Sequence, residues 1–126
     1  MHSIVANDFD DTETAYRFFK RAAEIDLGEN PISSNDGIHA ASLGGIWLAV
    51  VMGFGGIINN NGSLYIEPKL PKAWKRLVFS LYWQGERLNI NIETSKLTIS
   101  KSSCGALDLW IMGRKYTLID EIIVYV

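Results

Sequence analysis

A chain of 126 residues with 48% hydrophobic and 21% charged residues is about one domain long and has the make-up of an ordinary globular protein. Its formal net charge of −2, with lysines and arginines scattered, excludes the concentrated basic stripe of a nucleic-acid binder. The single cysteine, Cys104, can form neither an intrachain disulfide nor a metal site by itself.

Met1-His2-Ser3 runs into Asp8, Asp10 and Asp11 without a basic start or a long apolar stretch, so no secretory leader is expected and the location reads as cytoplasmic. Asp10-Asp11-Thr12-Glu13 then reads as a capping box, with Asp10 at the cap and Glu13 three residues on. Ala15, Phe18, Phe19, Ala22 and Ala23 follow at the spacing of one helical face, opposite Arg17, Lys20, Arg21 and Glu24. Gly28 is the expected stop. Such a face needs a partner helix.

Glu29 to Gly37 is rich in Pro, Ser, Asn and Gly and reads as a loop. Asp36 is placed to cap a second helix from about Ile38 to Met52. The segment from Ala40 to Ile58 is nearly uncharged and close to bilayer-spanning length. It contains Ser42 and five glycines and has no basic flank, so a buried helix explains it better than a membrane span. Each of Gly44 and Gly45 weakens the helix by about 1 kcal/mol relative to alanine, a cost that close backbone packing against Ala40, Ala41, Gly44 and Gly45 would offset.

After Gly56 the period becomes two. Leu64 and Ile66 precede Pro68, and the group Lys69, Lys72, Lys75 and Arg76 reads as a solvated turn. Leu77, Phe79, Leu81 and Trp83 alternate with Val78, Ser80 and Tyr82, Gln84-Gly85-Glu86 turns, and Leu88, Ile90 and Ile92 alternate with Arg87, Asn89, Asn91 and Glu93. Thr94-Ser95 leads to Leu97 and Ile99; Leu107, Leu109 and Ile111 lead through Met112-Gly113-Arg114-Lys115 to Tyr116 and Leu118. Ile122 to Val126 ends the chain. Helices followed by closely spaced strands predict an α+β fold with an antiparallel sheet or small sandwich.

The chemistry-bearing segment is Asp36-Gly37-Ile38-His39-Ala40-Ala41-Ser42, where a helix start offers free N–H groups to an anion and His39 and Ser42 share a face. On its own this signal is weak. His2 is the other histidine, so no metal set exists, and neither a Gly-x-Ser-x-Gly elbow nor a phosphate-cradling loop ending in Lys is present. Glu67, Glu86, Glu93, Asp108, Asp120 and Glu121 read as solvated carboxylates rather than the paired groups of glycoside chemistry.

The stretch from Asp36 to Gly56, DGIHAASLGGIWLAVVMGFGG, closely resembles the last barrel helix of glycoside hydrolase family 65. His2-Ser3-Ile4-Val5-Ala6 and Thr14-Ala15-Tyr16-Arg17-Phe18-Phe19 look like the helices before it. Leu70-Pro71, Trp74, Leu77, Phe79 and Trp83-x-Gly85 are similar to the family's linker and C-terminal β-domain. The resemblance implies helices from an (α/α)6 barrel over residues 1–58 and an antiparallel β-domain over 59–126. It also implies a maltose-, trehalose- or kojibiose-type phosphorylase that, when complete, releases β-glucose 1-phosphate by inverting phosphorolysis.

Within that resemblance His39 helps bind the phosphate, the co-substrate of a reaction that needs no cofactor or metal. The family's glutamate general acid and its Lys-Gln segment lie upstream of anything in this chain, and Met1 within a helical region suggests an internal start. The chain by itself is therefore expected to be inactive. A missing N-terminal catalytic chain, or a second copy, is the expected partner for a patch of Phe18, Phe19, Ile46, Trp47, Val50 and Val51. The alternative is a free-standing β-domain acting as a carbohydrate-binding or scaffold module through Tyr82, Trp110 or Tyr125.

Overall fold

The computed structural model describes residues 2–9, 11–27 and 40–125, with helices first and strands after them. Helix α1 (His2–Asp8) packs on α2 (Thr12–Leu27). The small side chain of Ala15, fully buried, allows the approach, and the buried Ser3 Oγ donates to the Ala15 carbonyl at 2.8 Å. The cap of α2 lies one residue later than the sequence pattern suggests. Asp11 Oδ1 accepts the Thr14 N–H at 3.0 Å, so the capping partner is Thr14 and not Glu13, and Asp10 lies outside the described residues. The Thr14 N–H and hydroxyl hold the Asp11 carboxyl below its ordinary range.

Helix α3 (Ala40–Leu48) passes directly into a π-helical segment, Ala49–Phe54. Gly55 N–H donates to Val50 O at 2.8 Å, the i→i+5 bond that widens the turn. Ile38, His39, the Glu29–Gly37 loop, the Asp36 cap and the Gly28 stop fall outside the described residues. The wide turn buries Val51 in the sandwich core and Phe54 among aromatic rings. Val51 is therefore no part of an exposed patch, and Phe19 is half-buried against Phe54 at 5.6 Å between ring centroids. Gly44 and Gly45 do not serve a close backbone approach among the described residues, since a Cβ at either would meet nothing within 4 Å. Among those residues no helix is long and apolar enough to cross a membrane.

Eight strands follow: β1 (Ile57–Asn60), β2 (Ser63–Ile66), β3 (Arg76–Trp83), β4 (Glu86–Glu93), β5 (Lys96–Lys101), β6 (Leu107–Ile111), β7 (Arg114–Leu118) and β8 (Glu121–Tyr125). They form two four-stranded sheets, ordered β1-β2-β6-β7 and β3-β4-β5-β8. Apolar residues of alternating parity from both sheets, among them Leu64, Ile66, Ile90, Ile99, Leu109 and Leu118, make one buried cluster. Every pairing is antiparallel except β2 with β6, where Tyr65 lies opposite Trp110. That pair is parallel because the chain leaves β2, builds three strands of the other sheet, and returns. Three hairpins close on two residues that both have positive φ, as the twist of the flanking strands favours. The last of these, Met112-Gly113, is shorter than the four-residue turn the sequence suggests, so Arg114 and Lys115 belong to β7.

On the outer face of the first sheet, Asp108 Oδ2 lies 2.7 Å from Lys115 Nζ and Asp108 Oδ1 accepts from Thr117 Oγ1 at 2.7 Å. Lys115 first and Thr117 second hold the Asp108 carboxyl below the usual carboxylate range. A depressed folded value means that its contribution is present above the unfolded aspartate value, about 3.9, and is lost as pH falls through the lower folded one. Carbonyl NMR titration should place Asp108 below an unpaired aspartate, and Lys115→Met should raise it. An unchanged titration in that variant would remove the assignment.

The segment between β2 and β3 is strapped to the end of the π turn. Lys69 N–H donates to Phe54 O and Glu67 N–H to Gly56 O, each at 2.9 Å, so two carbonyls at the helical end are satisfied. Trp74 then closes on Phe54 at 5.0 Å and on Phe19 at 5.4 Å, and Tyr16 adds a T-shaped contact to Trp74 at 6.0 Å. This cluster joins α2, the π turn and the strap.

Candidate functional site and family relationship

The sequence places its best chemistry at His39, which lies outside the described residues. The described part of that motif begins with the backbone of α3 at Ala40. Further along the same helical run, Gly45, Ile46 and Ala49 line a cavity of about 180 Å³ together with His2, Ser3, Phe18, Phe19 and Ala22. His2 tilts against Phe18 at 5.7 Å between ring centroids, a packing role. Among the described residues its lining includes no carboxylate, lysine or arginine.

A larger cleft, about 790 Å³, separates the start of α2 from the strap and is lined by Asp11, Thr12, Glu13, Tyr16, Leu70, Pro71, Lys72 and Ala73. Its Asp11 is committed to capping α2, and a carboxyl held below its usual range stays ionised and cannot donate a proton near neutral pH. Among the described residues no group of three or more His, Cys, Asp or Glu could hold a metal ion. The shifted carboxyls there, Asp11 and Asp108, are both exposed and both explained by local hydrogen bonds.

Of the carboxylates expected to be solvated, Asp108, Asp120 and Glu121 are exposed, while Glu67 and Glu93 are half-buried, Glu93 lying 3.2 Å from Lys96. Glu86 departs from the expectation. A two-residue turn sets it opposite Trp83 on the inner face, 3.9 Å from the Nζ of Lys101, whose side chain is only 1% exposed. That distance suits an ion pair but not a hydrogen bond, and Lys101 donates instead to Ser103 O at 2.8 Å. Glu86 Oε2 and Trp83 Nε1 are left buried without hydrogen-bond partners at this end of the sandwich. Of the aromatic residues considered as sugar platforms, Trp110 is half-buried and stacked on Tyr65 at 5.6 Å and 10°, while Tyr82 and Tyr125 stand 74% and 80% exposed.

Residues 1–48 match the Glycosyl hydrolase family 65 central catalytic domain, and residues 59–118 match the Glycosyl hydrolase family 65, C-terminal domain. The chain is 43% identical over 123 residues to the kojibiose phosphorylase of Halothermothrix orenii, covering 94% of this chain and 16% of that protein. It is 37% identical over 121 residues to the kojibiose phosphorylase of Escherichia coli, covering 96% of this chain and 16% of that one. To the alpha,alpha-trehalose phosphorylase of Thermoanaerobacter brockii it is 34% identical over 116 residues, 92% of this chain and 15% of the relative. A solved candidate kojibiose phosphorylase from the human microbiome superposes with a TM-score of 0.92 at 29% identity, over 99% of this chain and 18% of that chain. The chain thus spans about one sixth of the length of the curated relatives it matches. With both of the family's segments matched in order along it, this chain belongs to glycoside hydrolase family 65.

Proposed function

We propose that this chain supplies the closing barrel helices (residues 1–58) and the β-domain (59–126) of an α-glucoside phosphorylase. The complete enzyme would cleave its disaccharide by inverting phosphorolysis and release β-glucose 1-phosphate. His39 would help hold the inorganic phosphate that acts as nucleophile, and no cofactor or metal would be required. The observation that carries the reading is the match to both family segments, with phosphorylases as relatives. The helical part adds support. Phe18, Leu43, Trp47 and Leu48 are each more than two-fifths exposed, and a Cβ at Gly44 or Gly45 would meet nothing within 4 Å, as expected of helices that pack against further helices. The partner would be the rest of the barrel, in the cytoplasm; without it, the chain should self-associate through these faces.

Alone, the chain is expected to be catalytically silent. A general acid typically contributes about 10²–10⁴-fold, and the family's glutamate is not among these residues. The purified chain, given kojibiose, trehalose or maltose with phosphate, should release no glucose 1-phosphate. Joined to or co-expressed with the preceding family segment, it should do so. His39→Ala in that reassembled enzyme should then raise the KM for phosphate by roughly 10–100-fold, the worth of one charge-assisted hydrogen bond. Activity of the isolated chain, or an unchanged phosphate KM in the variant, would sink the reading.

A further inference from the structure

We propose that the outer face of the β3-β4-β5-β8 sheet is a binding platform for a neutral oligosaccharide. The register assembles this face in rows: Ser80, Asn89, Ser100 and Glu121 share one, and Val78, Asn91, Thr98 and Ile123 share the next. The two central strands therefore present amides and hydroxyls in these rows, with Arg87, Glu93 and Lys96 at their ends. Both edge strands carry the large apolar groups instead, with Val78 55% and Tyr82 74% exposed on β3, and Ile123 49% and Tyr125 80% exposed on β8. A polar floor between apolar margins is a poor match for another copy of the chain, because interface centres are apolar. It matches a pyranose chain, whose C–H faces pack on aromatic rings while its hydroxyls meet side-chain amides.

Charge points the same way. Glu93 pairs with Lys96 at 3.2 Å, Arg76 Nε donates to Asn91 Oδ1 at 2.7 Å, and Ser80 Oγ donates to Asn89 Oδ1 at 2.8 Å. Arg87 reaches Ser80 Oγ at 3.5 Å and Glu121 stands in the Ser80 row, so three cations (Arg76, Arg87, Lys96) are set against two carboxylates. That near balance calls for no strongly charged ligand, and the amide Nδ2 donors of Asn89 and Asn91 face one that accepts hydrogen bonds. Size selects an oligomer. Four strands at about 4.8 Å spacing place the two edges about 14 Å apart, and Tyr82 and Tyr125 occupy diagonal corners, so one sugar reaches only one of them.

Isothermal titration of the 126-residue chain with maltoheptaose, in the absence of phosphate, tests the platform independently of phosphorolysis. Maltoheptaose should bind, glucose should bind at least about tenfold more weakly, and Tyr82→Ala and Tyr125→Ala should each weaken maltoheptaose about tenfold. Both tyrosines are exposed, so unchanged thermal midpoints should confirm intact folding. No heat of binding at any soluble concentration would overturn the proposal. So would maltoheptaose affinity indifferent to both substitutions, or tyrosine variants that alter only self-association.

Discussion

Replacing Phe54 with alanine is expected to destabilise the chain by about 3–5 kcal/mol, seen as a lower denaturation midpoint in urea. Phe54 is fully buried, and its ring meets Phe19 edge-on at 5.6 Å and Trp74 at 5.0 Å. Alanine removes the transfer free energy of a large ring and leaves a cavity that the Phe19 and Trp74 rings, held on two separate segments, cannot both collapse into. The loss should be local in kind as well as large. Phe54 holds α2 and the strap together, whereas the sandwich core rests on residues such as Leu88, Ile90 and Leu109. Hydrogen exchange should therefore quicken first in α2 while β4 and β5 stay protected. Phe18→Ala supplies the contrast. Phe18 is 45% exposed with His2 as its ring partner, and its loss should cost below about 1 kcal/mol. Equal costs at the two positions would mean that the cluster does not join the helices to the sandwich.

How much of this was readable from the chain alone depends on the range of each interaction. The β3–β4 hairpin was legible because Leu77 to Ile92 alternates cleanly and Gln84-Gly85 sits where a two-residue turn must be. β1 was missed. Ile57-Ile58-Asn59-Asn60 is exposed at three of its four positions and looks polar, though the Asn61-Gly62 pair after it is the strongest short-range hairpin signal. The parallel β2–β6 pairing has no local signature, since residues 65 and 110 meet only through tertiary topology. The π turn was equally invisible. A 3.6-residue period cannot announce an i→i+5 bond, so in the sequence Val50 and Val51 read as one apolar patch although Val51 turns into the sandwich.

The candidate site divides along the same line. His39 drew notice from residue type and helix position, but only family resemblance raised it above a weak signal. Glu86 shows the opposite error. It looks like a surface carboxylate at a turn, yet the two-residue length of that turn fixes its parity and sends it inward towards Lys101. Parity is also what gathers Asn89, Asn91, Ser100 and Thr98 on one outer face, a grouping that needs the register of two strands before it can be seen. Neither was accessible from spacing along a single strand.

Gly56→Ala is expected to be the most damaging single-methyl change, costing about 3 kcal/mol or more. Two effects add. The backbone at Gly56 has φ +65°, where a side chain costs roughly 1–2 kcal/mol. A Cβ there would also fall 1.8 Å from the Glu67 carbonyl oxygen and 2.1 Å from its carbon, inside any tolerable contact. Backbone cannot rotate away as a side chain can, so the strap must move. Moving it breaks the bond from Glu67 N–H to Gly56 O, and strains the neighbouring one from Lys69 N–H to Phe54 O. Gly62→Ala separates the two effects, since its φ is +79° but a Cβ there meets nothing within 4 Å. That variant should lose only the conformational part, about 1–2 kcal/mol. Urea denaturation of both variants gives the comparison. A Gly56→Ala chain no less stable than Gly62→Ala would show that the strap does not lie against Gly56 in solution.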